Sequence, residues 1–326
     1  GFASLLLPTV PVEHREHFNY FDARHVGLAS PGTDEQRFDD GEAGAVWALL
    51  YRPQTLEEKD PAGRMPRAFV DRQRGVMMVR NRWADENDVL VTIAADAISQ
   101  PNAWNQAEAL SIGLIGYGNA FIGGPGKHAG SRYFSTLLVD GKHHGKPSAA
   151  QATGKVKVME ATKFGGYAIV AGGEQYNSLG VDEVERHLLA DFSQSDGPAI
   201  IGVLDRIQSA KEHRYAWQLN IGDDVSDTAL KLSRGDEQGR TTFTLTGQNG
   251  GYLKAWVMTP TDVTLQLDDP LQVLTTNTIV DIWVVMQVGR GDPPVATITG
   301  EGLDARIIIG NATVRYDRKT GRMVSD

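Results

Sequence analysis

Cysteine is missing from all 326 residues. Its absence excludes disulfides, thiolate nucleophiles and Cys-ligated zinc, and fits any redox compartment. No apolar run reaches the roughly 18 residues that a membrane-spanning helix needs. The apolar start, Phe2 to Leu7, is too short for a signal-peptide core, and no basic residue precedes it. Gly1 in place of Met reads as a processed, truncated or cloned start. A basic excess is also lacking: the net charge of −9 argues against a general nucleic-acid binder. No Ser-His-Asp, P-loop or dinucleotide fingerprint stands in the right context.

What is present is an ordinary globular composition, 41% apolar and 22% charged, long enough for one large or two ordinary domains. Charge is unevenly spread. Between Gly126 and Lys163 lie Lys127, Arg132, Lys142, Lys146, Lys155, Lys157 and Lys163, opposed only by Asp140 and Glu160, with His128, His143 and His144 in the same stretch. A local positive field on an acidic protein suits a polyanionic ligand; solvated strand faces are the plainer reading.

Hydrophobic periodicity divides the chain. Residues 1–38 are irregular, with an aromatic-histidine cluster of His14, His17, Phe18, Tyr20 and Phe21. Asp39 or Asp40 caps a predicted helix on which Ala43, Val46, Trp47 and Leu50 fall at helical spacing, and Pro53 ends it. Residues 53–66 hold three prolines and read as a linker. From Ala68 the pattern becomes that of strands: a run around Val76–Val79, then Val89, Val91 and Ile93. Later runs are 135–140, 155–159, 167–171, 199–205, 216–219, 241–245, 252–258, 279–288, 305–309 and 313–316. Short Val-, Ile- and Thr-rich segments between Gly, Asp, Asn and Pro predict an all-β antiparallel sandwich, not βα units. The division expected is 1–66 for the N-terminal segment, 67–260 for the main sandwich and 261–326 for a small C-terminal sheet.

Three stretches carry a family resemblance. AVWALLYRP, a proline linker and RAFVDRQRGVMMVRNRWADENDVLVTIAADA come first; SRYFSTLLVDGK is second; VERHLL, AIIGVLDRI and HRYAWQLN form the third. In this order they resemble the C-terminal β half of the heparinase II/III-like polysaccharide lyases, over roughly residues 43–326. The resemblance implies a supersandwich-like fold with a small C-terminal sheet and an N-terminal remnant of an α-toroid. It implies a secreted or periplasmic lyase that cleaves uronate-containing glycans, such as glycosaminoglycan or alginate, by β-elimination. A base removes the C5 proton, an acid protonates the leaving oxygen, and positive or hydrogen-bonding groups neutralise the carboxylate. Such a chain works with a helical domain or separate helical chain. The alternative is a non-catalytic carbohydrate-binding or structural sandwich.

The sequence departs from the family pattern at particular positions. Against H-x-H-x-D-x-G-S-F it has WNQAEALSI, placing Trp104 and Gln106 at the histidines and Glu108 at the aspartate. Ser135 and Thr136 stand for the His-Asn pair before LLVDG, and Asn220 for the histidine of W-x-L-H. On this alignment the zinc site is absent, and no metal or other cofactor is expected. Asp223, Asp224 and Asp227 could hold calcium, but their loop lacks an EF-hand pattern.

The candidate catalytic residues are His128 as base and Tyr117 or Tyr133 as acid, around the glycine-rich stretch 116–133. Arg132 can pair bidentately with a carboxylate, and Lys127, Trp104, Gln106, Glu108 and His213 complete the substrate-binding set. The plainer reading puts both tyrosines in the core or rim. His14, His17, Tyr20 and His25 are either a substrate-facing group or a packed loop; His14 and His17 share a helical turn with no evident third ligand. Arg186 reads as a structural partner of Asp205.

Overall fold

The computed structural model describes residues 9–18, 57, 59–60, 63–85, 87–97, 108–123, 134–144, 154–194, 197–222, 230–267 and 271–326. Two units are distinguished, Gly1–Pro66 and Arg67–Asp326. In the first, a 3-10 turn at Val12–His14 leads to a buried His17, whose Nδ1 lies 2.9 Å from the Lys59 carbonyl. A carbonyl only accepts, so Nδ1 carries the proton. His17 is therefore a packing residue, while His14 is exposed. The helix expected near residues 40–51, with Tyr20 and His25, lies outside the described residues.

The second unit is an antiparallel β-sandwich with an added layer. Among the described residues 58% are strand and 7% helix. A five-stranded sheet runs in order through β1 (Ala68–Asp71), β2 (Val76–Arg80), β3 (Leu90–Ala94), β4 (Ile112–Gly116) and β5 (Asn119–Ile122). The large sheet contains β6 (Leu137–Val139), β7 (Lys155–Thr162), β8 (Gly165–Ala171), β9 (Glu183–Asp191), β10 (Ala199–Leu219), β11 (Lys231–Glu237), β12 (Arg240–Thr246), β13 (Gly251–Thr259), β14 (Thr264–Gln266) and β15 (Leu271–Arg290). Its order is β11-β12-β13-β15-β10-β9-β8-β7, with β6 on β10 and β14 on β15. The third sheet is β16 (Thr297–Thr299), β17 (Arg306–Ile309), β18 (Ala312–Asp317) and β19 (Arg322–Ser325). β14 and β15 thus lie beyond the 260/261 division read from the sequence yet pair within the large sheet.

The centre of the large sheet is buried on both faces, which explains the continuous apolar runs of its central strands. Successive side chains point to opposite faces. On β10, Ile201, Val203 and Ile207 pack with the five-stranded sheet's Met77, Val91, Ile93 and Leu114, while Ile200 and Leu204 join Ile307, Val314 and Met323 of the third sheet. On β15, Ile282, Val284 and Met286 take the first side and Trp283 and Val285 the second. Each fully buried side chain of this size contributes roughly 1.5–3 kcal/mol. Two-residue hairpin turns fix register where Tyr117-Gly118, Asp140-Gly141 and Gln238-Gly239 all adopt positive φ, as a type I′ turn requires.

β10 is longer than its sequence pattern suggests. The runs 199–205 and 216–219 read as separate strands, but they are the two ends of one strand that pairs with β15 throughout, with an irregularity between Gln208 and His213. The intervening residues are polar because much of that stretch is exposed.

Candidate functional site

Three segments that lie far apart in sequence converge beside the paired β6 and β10: residues 108–112, 134–137 and 218–220. The Ile112 amide donates to the Ser135 carbonyl at 3.3 Å, and the Thr136 hydroxyl donates to the Ala109 carbonyl at 2.8 Å. The Asn220 amide donates to the Ser135 hydroxyl at 3.0 Å, and the Gln218 amide to the Thr136 carbonyl at 3.0 Å. Glu108, Ser135, Thr136 and Asn220, the positions singled out by motif alignment, therefore belong to one neighbourhood.

Behind it sits the Arg186–Asp205 pair, both fully buried. Arg186 on β9 donates through Nε and Nη2 to the two Asp205 oxygens on β10, each at 2.6 Å. Its Nη1 donates to the carbonyls of Leu110 and Ser135, the latter at 2.8 Å. One guanidinium thus holds two of the converging segments on the large sheet. The ion pair read from the sequence is present, and its role is structural.

A short helix α1 (Gly173–Asn177) supplies residues that sequence reading missed. Gln175 Nε2 donates to Asp96 Oδ2 at 3.1 Å. The Tyr176 hydroxyl lies 3.0 Å from both the Thr136 hydroxyl and the Leu137 carbonyl. The buried His144 ring stands with its centroid 5.0 Å from that of Tyr176. Burial holds the Tyr176 phenol well above its ordinary pKa, so it keeps its proton. Asp96 and Glu108 both lie above the usual carboxylate range. For Asp96 burial dominates, opposed by hydrogen bonds from Gln175 and the Glu108 backbone. For Glu108 burial leads, and the Asp96 charge adds to it. Two desolvated carboxyls of this kind can hold a proton where exposed ones have lost it.

The other sequence candidates fall elsewhere. Tyr117 occupies the β4–β5 turn, where its hydroxyl donates to the Gly197 carbonyl at 3.3 Å and the Arg290 guanidinium lies 5.8 Å from its ring centre. His213 is held by Asp140, Nδ1 to Oδ2 at 2.7 Å; Asp140 also accepts from the Arg214 amide at 2.9 Å. These bonds, the His213 one foremost, hold Asp140 below the usual carboxylate range. Seven residues of strand separate His213 from Asn220, roughly 23 Å, so His213 is not part of the converging cluster. His128, Tyr133, Arg132, Lys127, Trp104 and Gln106 lie outside the described residues, as do Lys146, Asp223, Asp224 and Asp227. Of the basic stretch, Lys157 is engaged by Glu183 at 3.0 Å and by Glu185, and Lys163 lies over Phe164. No group of three His, Asp or Glu side chains suited to a metal occurs among the described residues. No helix among them is long and apolar enough to cross a membrane.

No protein-family model matches the chain, and no curated protein matches it in sequence. Solved structures do. The heparan sulfate lyase HepC from Pedobacter heparinus is 13% identical with a TM-score of 0.60, over 95% of this chain and 48% of that one. A heparinase III structure is 12% identical with a TM-score of 0.56, over 81% of this chain and 43% of that one. A second heparinase III, with methylated lysines, is 11% identical with a TM-score of 0.59, over 98% and 53%. The chain therefore spans about half the length of these proteins, and what it shares with them is the fold.

Proposed function

We propose that this chain is the β-sandwich portion of a polysaccharide lyase that cleaves uronate-containing anionic glycans by β-elimination, in a secreted or periplasmic setting and together with a helical toroid domain outside these residues. The convergence of residues 108–112, 134–137 and 218–220 carries the reading, because motif positions aligned on a lyase pattern meet at one place in a lyase-like fold. Within that cluster the groups able to carry or share a proton are Asp96, Glu108 and His144. Proton removal at C5 requires such a group within hydrogen-bond reach of the sugar. Basic residues in the 126–163 stretch would attract the anionic chain.

The test is incubation of the protein with a panel of uronate polysaccharides, followed by ultraviolet absorbance of the unsaturated product. Absorbance rising on at least one anionic glycan, and on no neutral one, is the expected result. A second reading, a carbohydrate-binding sandwich without catalysis, is favoured by Ser135 and Thr136. Both are fully buried and bonded within the protein where the family pattern has His-Asn. Binding without product on every glycan, with the helical domain supplied, would establish that reading over the first.

A further inference from the structure

The third sheet is joined to the large sheet by a chain of hydrogen bonds that ends on a buried histidine. The Met323 amide on β19 donates to the Tyr167 hydroxyl on β8 at 3.1 Å, and that hydroxyl lies 2.9 Å from His187 Nδ1 on β9. A backbone amide can only donate, so the phenol oxygen accepts there; toward His187 it either donates to a bare Nδ1 or accepts from a protonated one. Nε2 is buried and has no hydrogen-bond partner. His187 is 2% exposed, and its ring makes an edge contact with Tyr316 of β18, centroids 6.4 Å apart.

We propose that His187, Tyr167 and the Met323 amide form a proton-operated latch that holds the third sheet on the large sheet while the imidazole is neutral and releases it when the imidazole is protonated. The imidazolium carries hydrogens on both nitrogens, and the one on Nε2 is then a buried donor without an acceptor. Protonation also buries a charge. Every packed element contributes to the balance. Arg206 of β10 lies on the same side, where it donates to Asp281 of β15 at 3.1 Å and to the Tyr316 hydroxyl at 3.3 Å. Lys157 of β7 adds positive charge, and Arg322 of β19 lies over the Tyr167 ring at 5.3 Å. Glu185 of β9, with an oxygen 3.7 Å from Nε2, pulls the other way, as do Asp205 and Asp281. Glu160 of β7 engages Arg322 at 2.5 Å. Burial outweighs these, followed by Arg206, and the imidazole pKa falls to about 4.

Once the seam opens, the ring would titrate near its ordinary value of about 6.5. Between about 6.5 and about 4 the open form binds more protons than the closed one, so each pH unit of acidification favours opening about tenfold. The full span is roughly 300-fold, complete below about pH 4. Hydrogen exchange resolved along the chain reads this directly. Amides of β17–β19 should lose protection on acidification over that window while β10 and β15 stay protected. In His187→Gln, which cannot titrate, the third-sheet protection should lose most of this pH dependence. Tyr167→Phe should weaken it already at neutral pH. A His187→Gln protein whose third sheet opens over the same window as the wild type would overturn the latch. So would simultaneous opening of all sheets in the wild type. Should the variants fail to fold, imidazole nitrogen shifts of the wild type decide. Titration near pH 4 agrees with the latch; titration near 6.5 overturns it.

Discussion

Removing Arg186 should destabilise the protein by several kcal/mol, and removing Asp205 along with it should restore most of the loss. Both side chains are fully buried, and the guanidinium makes two charged hydrogen bonds of 2.6 Å to the carboxylate. Arg186→Met leaves Asp205 as an unpaired buried charge, a change that typically costs about 3–5 kcal/mol. Asp205→Leu strands the guanidinium in the same way, although two backbone carbonyls still accept from it. The double variant removes both charges. What it still lacks is a donor to the Leu110 carbonyl, since the Ser135 carbonyl keeps the Ile112 amide. An unsatisfied buried acceptor costs about 1–3 kcal/mol. The two single losses should thus sum to roughly 6–10 kcal/mol against about 1–3 for the double, a coupling of several kcal/mol. Urea unfolding of the wild type and the three variants, with slopes compared, measures each value. A double variant as unstable as the sum of the singles would show that the two charges act independently, and would refute the pairing argument.

Two further outcomes follow from the same geometry. Glu108 has a raised folded pKa, so the folded state holds a proton that the unfolded state has lost, and stability declines as pH rises from the unfolded value of about 4.3 through the folded one. Glu108→Gln should therefore raise the Tm near neutral pH and flatten its dependence between mildly acidic and neutral conditions; melting curves with the wild type's pH slope would contradict this. At Gly202 an added Cβ would meet Met323 Sδ at 3.1 Å and Leu189 Cβ at 3.6 Å, so Gly202→Val should cost about 1–3 kcal/mol through overpacking. Hydrogen exchange should show that loss concentrated in β17–β19, whereas Gly202→Ala, which a turn of the methionine can accommodate, should lose far less.

The fold was legible where burial alternates or runs unbroken. β2, β3, β8, β10, β13 and β15 are rich in Val, Ile, Leu and aromatics because they face one or two cores, and the sequence marks each of them. β11 was not legible: KLSRGDE is almost wholly exposed at the edge of the large sheet, so no apolar period records it. The middle of β10 was hidden for the same reason. Arg186 and Asp205 could be paired from sequence because two ionisable groups inside apolar strands need each other. Gln175 and Tyr176 left no such trace, since α1 has five residues and too few turns to show a helical period. Asp96, two residues past the end of β3, adopts a left-handed conformation, φ 53°, which its sequence context does not announce.

Ser135, Thr136 and Asn220 hold the neighbourhood together without any imidazole. Ser135 receives the Asn220 amide on its hydroxyl and offers its carbonyl to Ile112 and Arg186. Thr136 spends its hydroxyl on the Ala109 carbonyl and its own carbonyl on Gln218. Asn220 contributes through its backbone, donating to Ser135 and accepting from the Gly123 amide at 3.1 Å. Most of these bonds are made by main-chain groups, which any residue at the position supplies. The scaffold therefore does not depend on an imidazole at these positions. A group that does transfer protons here must be one whose protonation the site itself adjusts. Glu108 meets that requirement on two counts, burial and the neighbouring Asp96 charge. Burial raises Tyr176 as well, far enough that it keeps its proton. The Asp96 and Glu108 carboxyls are thus the groups here that can hold a proton where exposed carboxyls have lost it, while the Ser135, Thr136 and Tyr176 hydroxyls keep the three segments together.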